Sequence, residues 1–562
     1  MIKTRTLAIV LIISLSSVLS MGQSIKNSAP NTKNTTVFDY SALPWVEAFD
    51  SLHACMLLRY PYTEWKAVDW PEKLATTRPA IINAQSNSDT IAFIQHLFEY
   101  LYQIPDGHIE LLGEIDSFKQ SKIFGSYGFN MLPLDDESIV VSFVPGESPA
   151  YAAGLRSGDR ILKWNSKQID LVGNNEYLNY FRNYATVEGR MFSRYLMLGR
   201  DSIGAVAEIT FQSSQTKAES TITLTAFDDS MEMYLIGMYN TAQPINIDSL
   251  VYYDLLENNV GYLYIAAEMM EGITPEEILQ SPDFIKVQDA ITYFNNNGID
   301  KLIVDLRFNI GGNDMQAAVT MGLFYDNSSF YEHITSSYDD DYEVIYSLWT
   351  DPLTPKYEGE IAVIVDPNCI STGEGLAMMF QRLENAQIVS HWGTNASFGM
   401  VDYEPVLMPA GLAVIFPQAR SLDENHIIQL DSDSTLRGGV QPDVRVPLTT
   451  QTVIQQYEEG IDVQLKYAES LLMDIDENTA KQNCVLYPNP CSDIINIEIT
   501  NSTSCGKYRL SIFNLQSIEV LTLPLELSAG NNIITLNLMD GIYFYRISGC
   551  NNNYQGKIIV KH

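Results

Sequence analysis

Lys301-LIVDLRFNIGGND-Met315, Glu360-IAVIVDPNCISTGEGLAMMF-Gln381 and Ile388-VSHWGTNASF-Gly399 are the three runs on which the reading of this 562-residue chain turns. LIVDL and IAVIVD have the length and β-branched content of strands buried on both faces. Each is followed by a turn and a helix-like segment, the order in which a βαβ sheet presents groups at its strand ends. Behind the first strand, Asn309-Ile-Gly311-Gly312 lets backbone N–H groups come close to a ligand. Behind the second, Ser371-Thr-Gly-Glu374 sets a hydroxyl on a strand-to-helix corner, where a helix N-terminus favours negative charge. A hydroxyl nucleophile beside a pair of N–H donors is the arrangement acyl transfer needs.

The ordered set resembles the S41 family of serine peptidases, the carboxyl-terminal-processing and tricorn-core proteases. Asp305-LRFNIG-Gly312 matches the family's DLRxNxGG, Ser371 stands three residues before Glu374, and Gly439-VQP-Asp443 matches a closing Gly-Val-x-Pro-Asp. The resemblance implies Ser371 as nucleophile and an oxyanion hole made by Gly311 or Gly312 together with Thr372. It also implies a base. Many members use a lysine in Phe-Gly-Lys, but here Met400 follows Phe398 and Gly399, and no lysine lies between Ser371 and Lys466. Histidine is the usual alternative near neutral pH. The tricorn-like branch carries Asp-Gly-His near the end of an N-terminal helical bundle, which points to Asp106-Gly-His108; His391 and His426 are the competitors. The pattern's glutamate, three residues before the closing Gly-Val, falls on Leu436. Glu374, Glu424, Asp431 and Asp433 stay open as the acid partner. Cys369 reads as a buried apolar filler. No cofactor is expected, and no CxxC pair or His/Cys cluster suggests a metal.

Working outward, 562 residues call for several domains at ~150 residues each. A net charge of −35 argues against nucleic acid and anionic membranes as partners. Residues 1–22 carry Lys3, Arg5 and an apolar run ending in small residues, the pattern of a secretory signal peptide. Trp45, Phe49, Leu52 and Met56, then Ile91, Ile94, Leu97, Phe98 and Leu101, recur at helical spacing and predict a helical domain over 38–118. Residues 120–228 resemble a PDZ domain: Ser148-PAYAAGLRSGDRILKWNSKQ-Ile169 follows the PDZ run, and Gly128, Phe129 and Asn130 would form its peptide-carboxylate loop. The catalytic domain is expected over 240–473, with a strand at Val260–Ile265, a helix over Pro275–Asn296 and a closing helix over Thr450–Met473. Residues 480–562 alternate apolar residues with turns. Tyr487-Pro-Asn-Pro490, Gly541-IYFYR-Ile547 and the terminal Lys557-IIVK resemble a type A C-terminal sorting domain of the Bacteroidetes type IX secretion system, a small β-sandwich. Cys484, Cys491, Cys505 and Cys550 crowd this segment and suit one or two disulfides.

The expected architecture is thus a multidomain α/β chain: N-terminal helical bundle, PDZ domain, α/β (ClpP/crotonase-like) S41 domain and C-terminal β-sandwich. The expected function is a secreted serine endopeptidase acting on proteins or peptides, exported through the type IX machinery. A peptidase fold that only holds peptides is the alternative. Oligomeric state is not legible.

Overall fold

The computed structural model describes residues 38–171, 178–239, 249–269, 274–338, 341–401, 405–473, 484–488, 490–492, 494–499, 507–513, 519–526, 530–549 and 552–561. The expected signal peptide lies outside them, as do Cys505 and Cys550. The chain divides into two compact units, one running to Arg445 apart from 134–136, the other made of those three residues and Val446–His562.

The first unit opens with three helices, Trp45–Arg59 (α1), Trp70–Asn87 (α2) and Thr90–Tyr102 (α3). Asp69 and Asp89 cap α2 and α3 by accepting the Glu72 and Ala92 N–H groups, satisfying donors that helix starts leave orphaned. Phe49, Leu52, Met56, Phe93, Leu97, Phe98 and Leu101 share one core. The helical reading over 38–118 is interrupted by one strand before helix returns at Asp116–Ile123. Directly after His108, Glu110–Gly113 becomes a strand that pairs antiparallel with Leu412–Ile415. That pairing ties the end of the helical segment to chain far downstream.

Next comes a sheet of Asn130–Pro133 (β1), Ile139–Phe143 (β2), Arg160–Trp164 (β3), Val206–Gln212 (β4) and Glu219–Thr225 (β5), in that order, with β1 at one edge. Helix Val187–Leu198 (α4), capped by Thr186, packs on β1. Helix Glu232–Tyr239 (α5) follows and touches both.

The largest core surrounds a six-stranded sheet. Its order is Val251–Leu255 (β6), Gly261–Ile265 (β7), Lys301–Asp305 (β8), Glu360–Ile364 (β9), Ala386–Ser390 (β10) and Val444–Arg445 (β11). Only β6 runs antiparallel to its neighbour. Leu302, Ile303, Val304, Ala362, Val363 and Ile364 have no exposed surface, as the two apolar runs require of central strands. Between β7 and β8 the expected single helix is broken. Ser281 caps a new helix, Pro282–Asn296 (α6), by accepting the Phe284 N–H, with Pro282 in its first turn. Asp314–Met321 (α7) follows β8 and Thr372–Gln381 (α8) follows β9.

In the second unit the expected closing helix is also two, Thr450–Tyr457 and Val463–Leu472, with Gly460 at positive φ between them. Two sheets then form: Cys484–Tyr487, Ile494–Ile499 and Gly530–Thr535 in one, and Glu519–Glu526, Lys507–Phe513, Gly541–Gly549 and Asn552–Val560 in the other. Ile495, Ile497, Leu510, Ile512, Ile547 and Ile558 make their shared core, with Cys491 buried among them.

Candidate active site

Parallel strands β8 and β9 are neighbours in register, so the turns after them meet. Ser371 sits on the second turn as the residue before α8, at φ +59° and ψ −133°. A non-glycine residue there is strained by about 1–3 kcal/mol and persists only where its surroundings hold it. The Ser371 N–H donates to the Ser397 carbonyl (3.0 Å), and the Ser371 carbonyl accepts from Glu374 N–H (2.8 Å). The side chain is left partly exposed at the corner.

The glycine turn packs against this corner. Gly311 has φ +78°, and a Cβ on it would come within 2.6 Å of Ser371 Cβ and 2.9 Å of Thr372 N. Only glycine fits. Its N–H, however, donates to Asn309 Oδ1 (2.8 Å), so it is committed. Gly312 N–H and Thr372 N–H have no acceptor among the described residues. The Thr372 hydroxyl lies within hydrogen-bond reach of both the Gly312 carbonyl (3.0 Å) and Asp314 Oδ1 (2.7 Å), with one hydrogen to give between them.

The rest of DLRFNIGG is scaffolding. Arg307 folds back on Asp305 (2.6 Å) with both buried, and Asp305 also accepts from the Tyr262 hydroxyl (2.9 Å). The Asn309 amide donates to the Ile265 carbonyl (3.0 Å) and to Glu268 (2.9 Å). A Cβ at Gly373 would reach 2.5 Å from Asn309 Oδ1, which explains the glycine two residues after the serine.

Glu374 is fully buried, and its carboxylate accepts from Thr394 Oγ1 (2.5 Å), Ala396 N (2.7 Å) and Ser397 N (2.8 Å). Burial pushes its pKa up to about 8, against the pull of these donors. The structure thus spends this carboxylate on the 394–397 loop, and no bond joins it to an imidazole among the described residues. The closing Gly-Val-x-Pro-Asp braces the same loop: Val440 and Thr394 exchange two hydrogen bonds, and Asp443 accepts from Ile388 N (2.8 Å).

Into this loop comes the Asp106-Gly107-His108 turn. Gly107 N–H donates to Ser397 Oγ (2.7 Å), and a Cβ on Gly107 would meet Asn395 Oδ1 and, at 2.5 Å, Ile370 Cδ1. One residue, Ser397, therefore binds both the serine corner and the residue before His108. Asp106 is buried, accepting from the Tyr60 hydroxyl (2.6 Å) and from His108 N (2.9 Å). Lys66, almost wholly buried, donates to the Pro105 carbonyl (3.0 Å) and to Ser432. His108 Nδ1 is buried without a hydrogen-bond partner among the described residues, and no bond links the ring to Ser371 Oγ. Burial lowers the His108 pKa; Asp106 works the other way, and Lys66 and Arg182 reinforce the drop.

The other candidates lie elsewhere. His426 is exposed and stacks on His333 at 4.8 Å, and His391 follows β10 beside Trp392. Asp431 accepts from Phe398 N (3.2 Å) and faces Lys66 at 3.7 Å. Asp433 caps its own turn at Thr435, and Glu424 is exposed. Leu436, where a glutamate was looked for, has φ +62°. Cys369 is fully buried. Gly128, Phe129 and Asn130 are covered: Phe129 has no exposed surface, Asn130 Nδ2 donates to the Met233 carbonyl (2.7 Å), and Gly237 of α5 packs on Leu196 and Asn130. The chain's own α5 thus packs on β1 and α4 through Asn130 and Leu196. Among the described residues no group of three or more His, Cys, Asp or Glu could hold a metal ion.

Residues 259–446, which hold this corner, match Peptidase family S41. This domain belongs to family S41. Residues 485–561 match the secretion system C-terminal sorting domain, which addresses the chain to the cell surface or the extracellular space. No helix among the described residues is long and apolar enough to cross a membrane. Among solved structures, mature CPAF complexed with lactacystin aligns at 13% identity, covering 76% of this chain and 97% of that one, TM-score 0.54. Mature CPAF alone aligns at 13% over 77% and 97%, TM-score 0.53. At that identity the likeness to the S41 domain and its surroundings is one of fold. No curated protein matches the chain.

Ser397, Asn309 and Asn183 escaped the sequence reading. Ser397 and Asn309 lie within the NASFG and FNIGG runs, but nothing in their spacing says which backbone groups they bind.

Proposed function

We propose that the protein is an exported serine endopeptidase in which Ser371 attacks a peptide carbonyl and His108 takes its proton. Gly312 and Thr372 N–H groups receive the oxyanion, each donor contributing ~2.7–4 kcal/mol in the transition state. His108 then returns the proton to the leaving amine. Glu374 acts by holding the 394–397 loop and not as the third member of a triad. The observation that carries this reading is the strained Ser371 at the start of α8, seated against Gly311 beside two uncommitted N–H groups. Strain of that kind is kept where it positions a reacting group. Regions 38–118 and 120–228 are read as a helical domain and a PDZ domain, and type IX machinery as the export partner.

One observation favours the alternative of a peptide holder without turnover: no carboxylate is bonded to His108 Nδ1 among the described residues. A single experiment separates the two. A fluorophosphonate probe should label the wild-type chain and spare Ser371→Ala, and that variant should lose casein hydrolysis by about a millionfold while unfolding normally. An unlabelled wild-type chain would leave only the binding reading.

A further inference from the structure

Ser371 and His108 lie on different elements, so whatever grips both turns sets the geometry between them. The segment Arg182–Tyr184, which leads into the Thr186 cap of α4, does so. Asn183 spends both amide hydrogens on the turn before His108, donating to the Ile104 carbonyl (2.7 Å) and the Asp106 carbonyl (2.9 Å). Its neighbours reach the other side. Arg182 Nη1 donates to the Asn368 carbonyl (2.7 Å), and the Tyr184 hydroxyl donates to Asn368 Oδ1 (2.7 Å), three residues before Ser371. Asn395, against which Gly107 packs, donates to the Asn183 carbonyl at 3.4 Å. Asn183 and Tyr184 are 4% and 2% exposed, so water competes little for these bonds.

We infer that Asn183 is a positioning residue for the catalytic pair, with Arg182 and Tyr184 completing a clamp that holds the His108 turn at a fixed distance from the Ser371 turn. The inference rests on the peptidase reading. It also gives region 120–228 a role that needs no bound peptide: it contributes the strut of the active site. Misplacing a base by about 1 Å can cost up to a hundredfold in rate, so the clamp should govern kcat more than KM.

The test compares the full-length wild-type chain with Asn183→Ala and Tyr184→Phe, measuring kcat, KM, the pH profile of kcat/KM, fluorophosphonate labelling of Ser371 and thermal unfolding. Asn183→Ala should lower kcat about ten- to a hundredfold with KM within about twofold. Its acid limb should move up toward 6.5, because water admitted at the opened turn relieves the burial that lowers His108. Tyr184→Phe, which keeps the packing, should lower kcat by a smaller factor and leave the limb in place. Unchanged kcat in Tyr184→Phe, or an acid limb unmoved in a folded Asn183→Ala, overturns the inference. Should Asn183→Ala not fold, the Tyr184→Phe result decides alone. A wild-type chain that the probe does not label removes the peptidase reading and the clamp with it, whereas a labelled wild-type chain beside unaffected variants removes only the clamp.

Discussion

Ser371 and His108 define what can be measured at the scale of single residues. A base works only while neutral, and burial holds His108 below its ordinary 6.5. As pH falls, the imidazole should therefore stay unprotonated past 6.5, and activity should be lost only below it. A kcat/KM profile whose acid limb lies at or above 6.5 would contradict the assignment of His108. His391→Ala and His426→Ala should leave that limb in place. Gly311→Ala asks a different question, because the added methyl collides with Ser371 Cβ and meets φ +78°. Roughly 1–3 kcal/mol of stability should go, and activity should fall by much more than that loss explains. Chemical denaturation beside single-turnover rates checks the split.

Elements matter here through their ends. β8 and β9 are ordinary buried strands; the candidate site lies where their following turns touch, and α8 turns its N-terminal N–H groups toward the same point. Glu374, in the first turn of α8, faces away and gathers the 394–397 loop. Both of its oxygens accept backbone N–H groups. Glu374→Gln must turn an amide N–H toward a backbone N–H. It should cost about 1–3 kcal/mol and slow turnover through the loosened Ser397, with KM little changed. Parent-like stability by denaturant titration would show that the loop does not depend on this carboxylate. The two broken helices carry a related lesson. Their apolar periods run on across Ser281-Pro282 and Gly460, but Ser281 caps a fresh start with Pro282 in its first turn, and a glycine at positive φ ends a helix.

At the scale of the whole molecule, the helices before His108 are fastened downstream by the pairing of Glu110–Gly113 with Leu412–Ile415. The sorting domain has its own core of Ile495, Ile497, Leu510, Ile512, Ile547 and Ile558. A chain ending near residue 478 should therefore keep peptidase activity and a cooperative unfolding transition, while losing its export address. Calorimetry and casein hydrolysis on the truncated protein test this. Loss of the cooperative transition would place the tail within the folding unit of the enzyme. A net charge of −35 argues against nucleic-acid and anionic-membrane contact.

LIVDL, IAVIVD, the glycine turn and the serine corner were legible from sequence because each is local: a strand's burial pattern, a turn's need for glycine and a helix start are written within a dozen residues. The sorting tail was legible for the same reason. What the sequence could not say is which backbone groups meet across long separations. Gly311 N–H is taken by Asn309, Glu374 holds a loop and not an imidazole, and α5 takes the Asn130 amide. Ser397 and Asn183 join turns that lie hundreds of residues apart along the chain. Those facts depend on where side chains with several equivalent hydrogen-bonding options come to rest, and only the packed tertiary structure removes all but one.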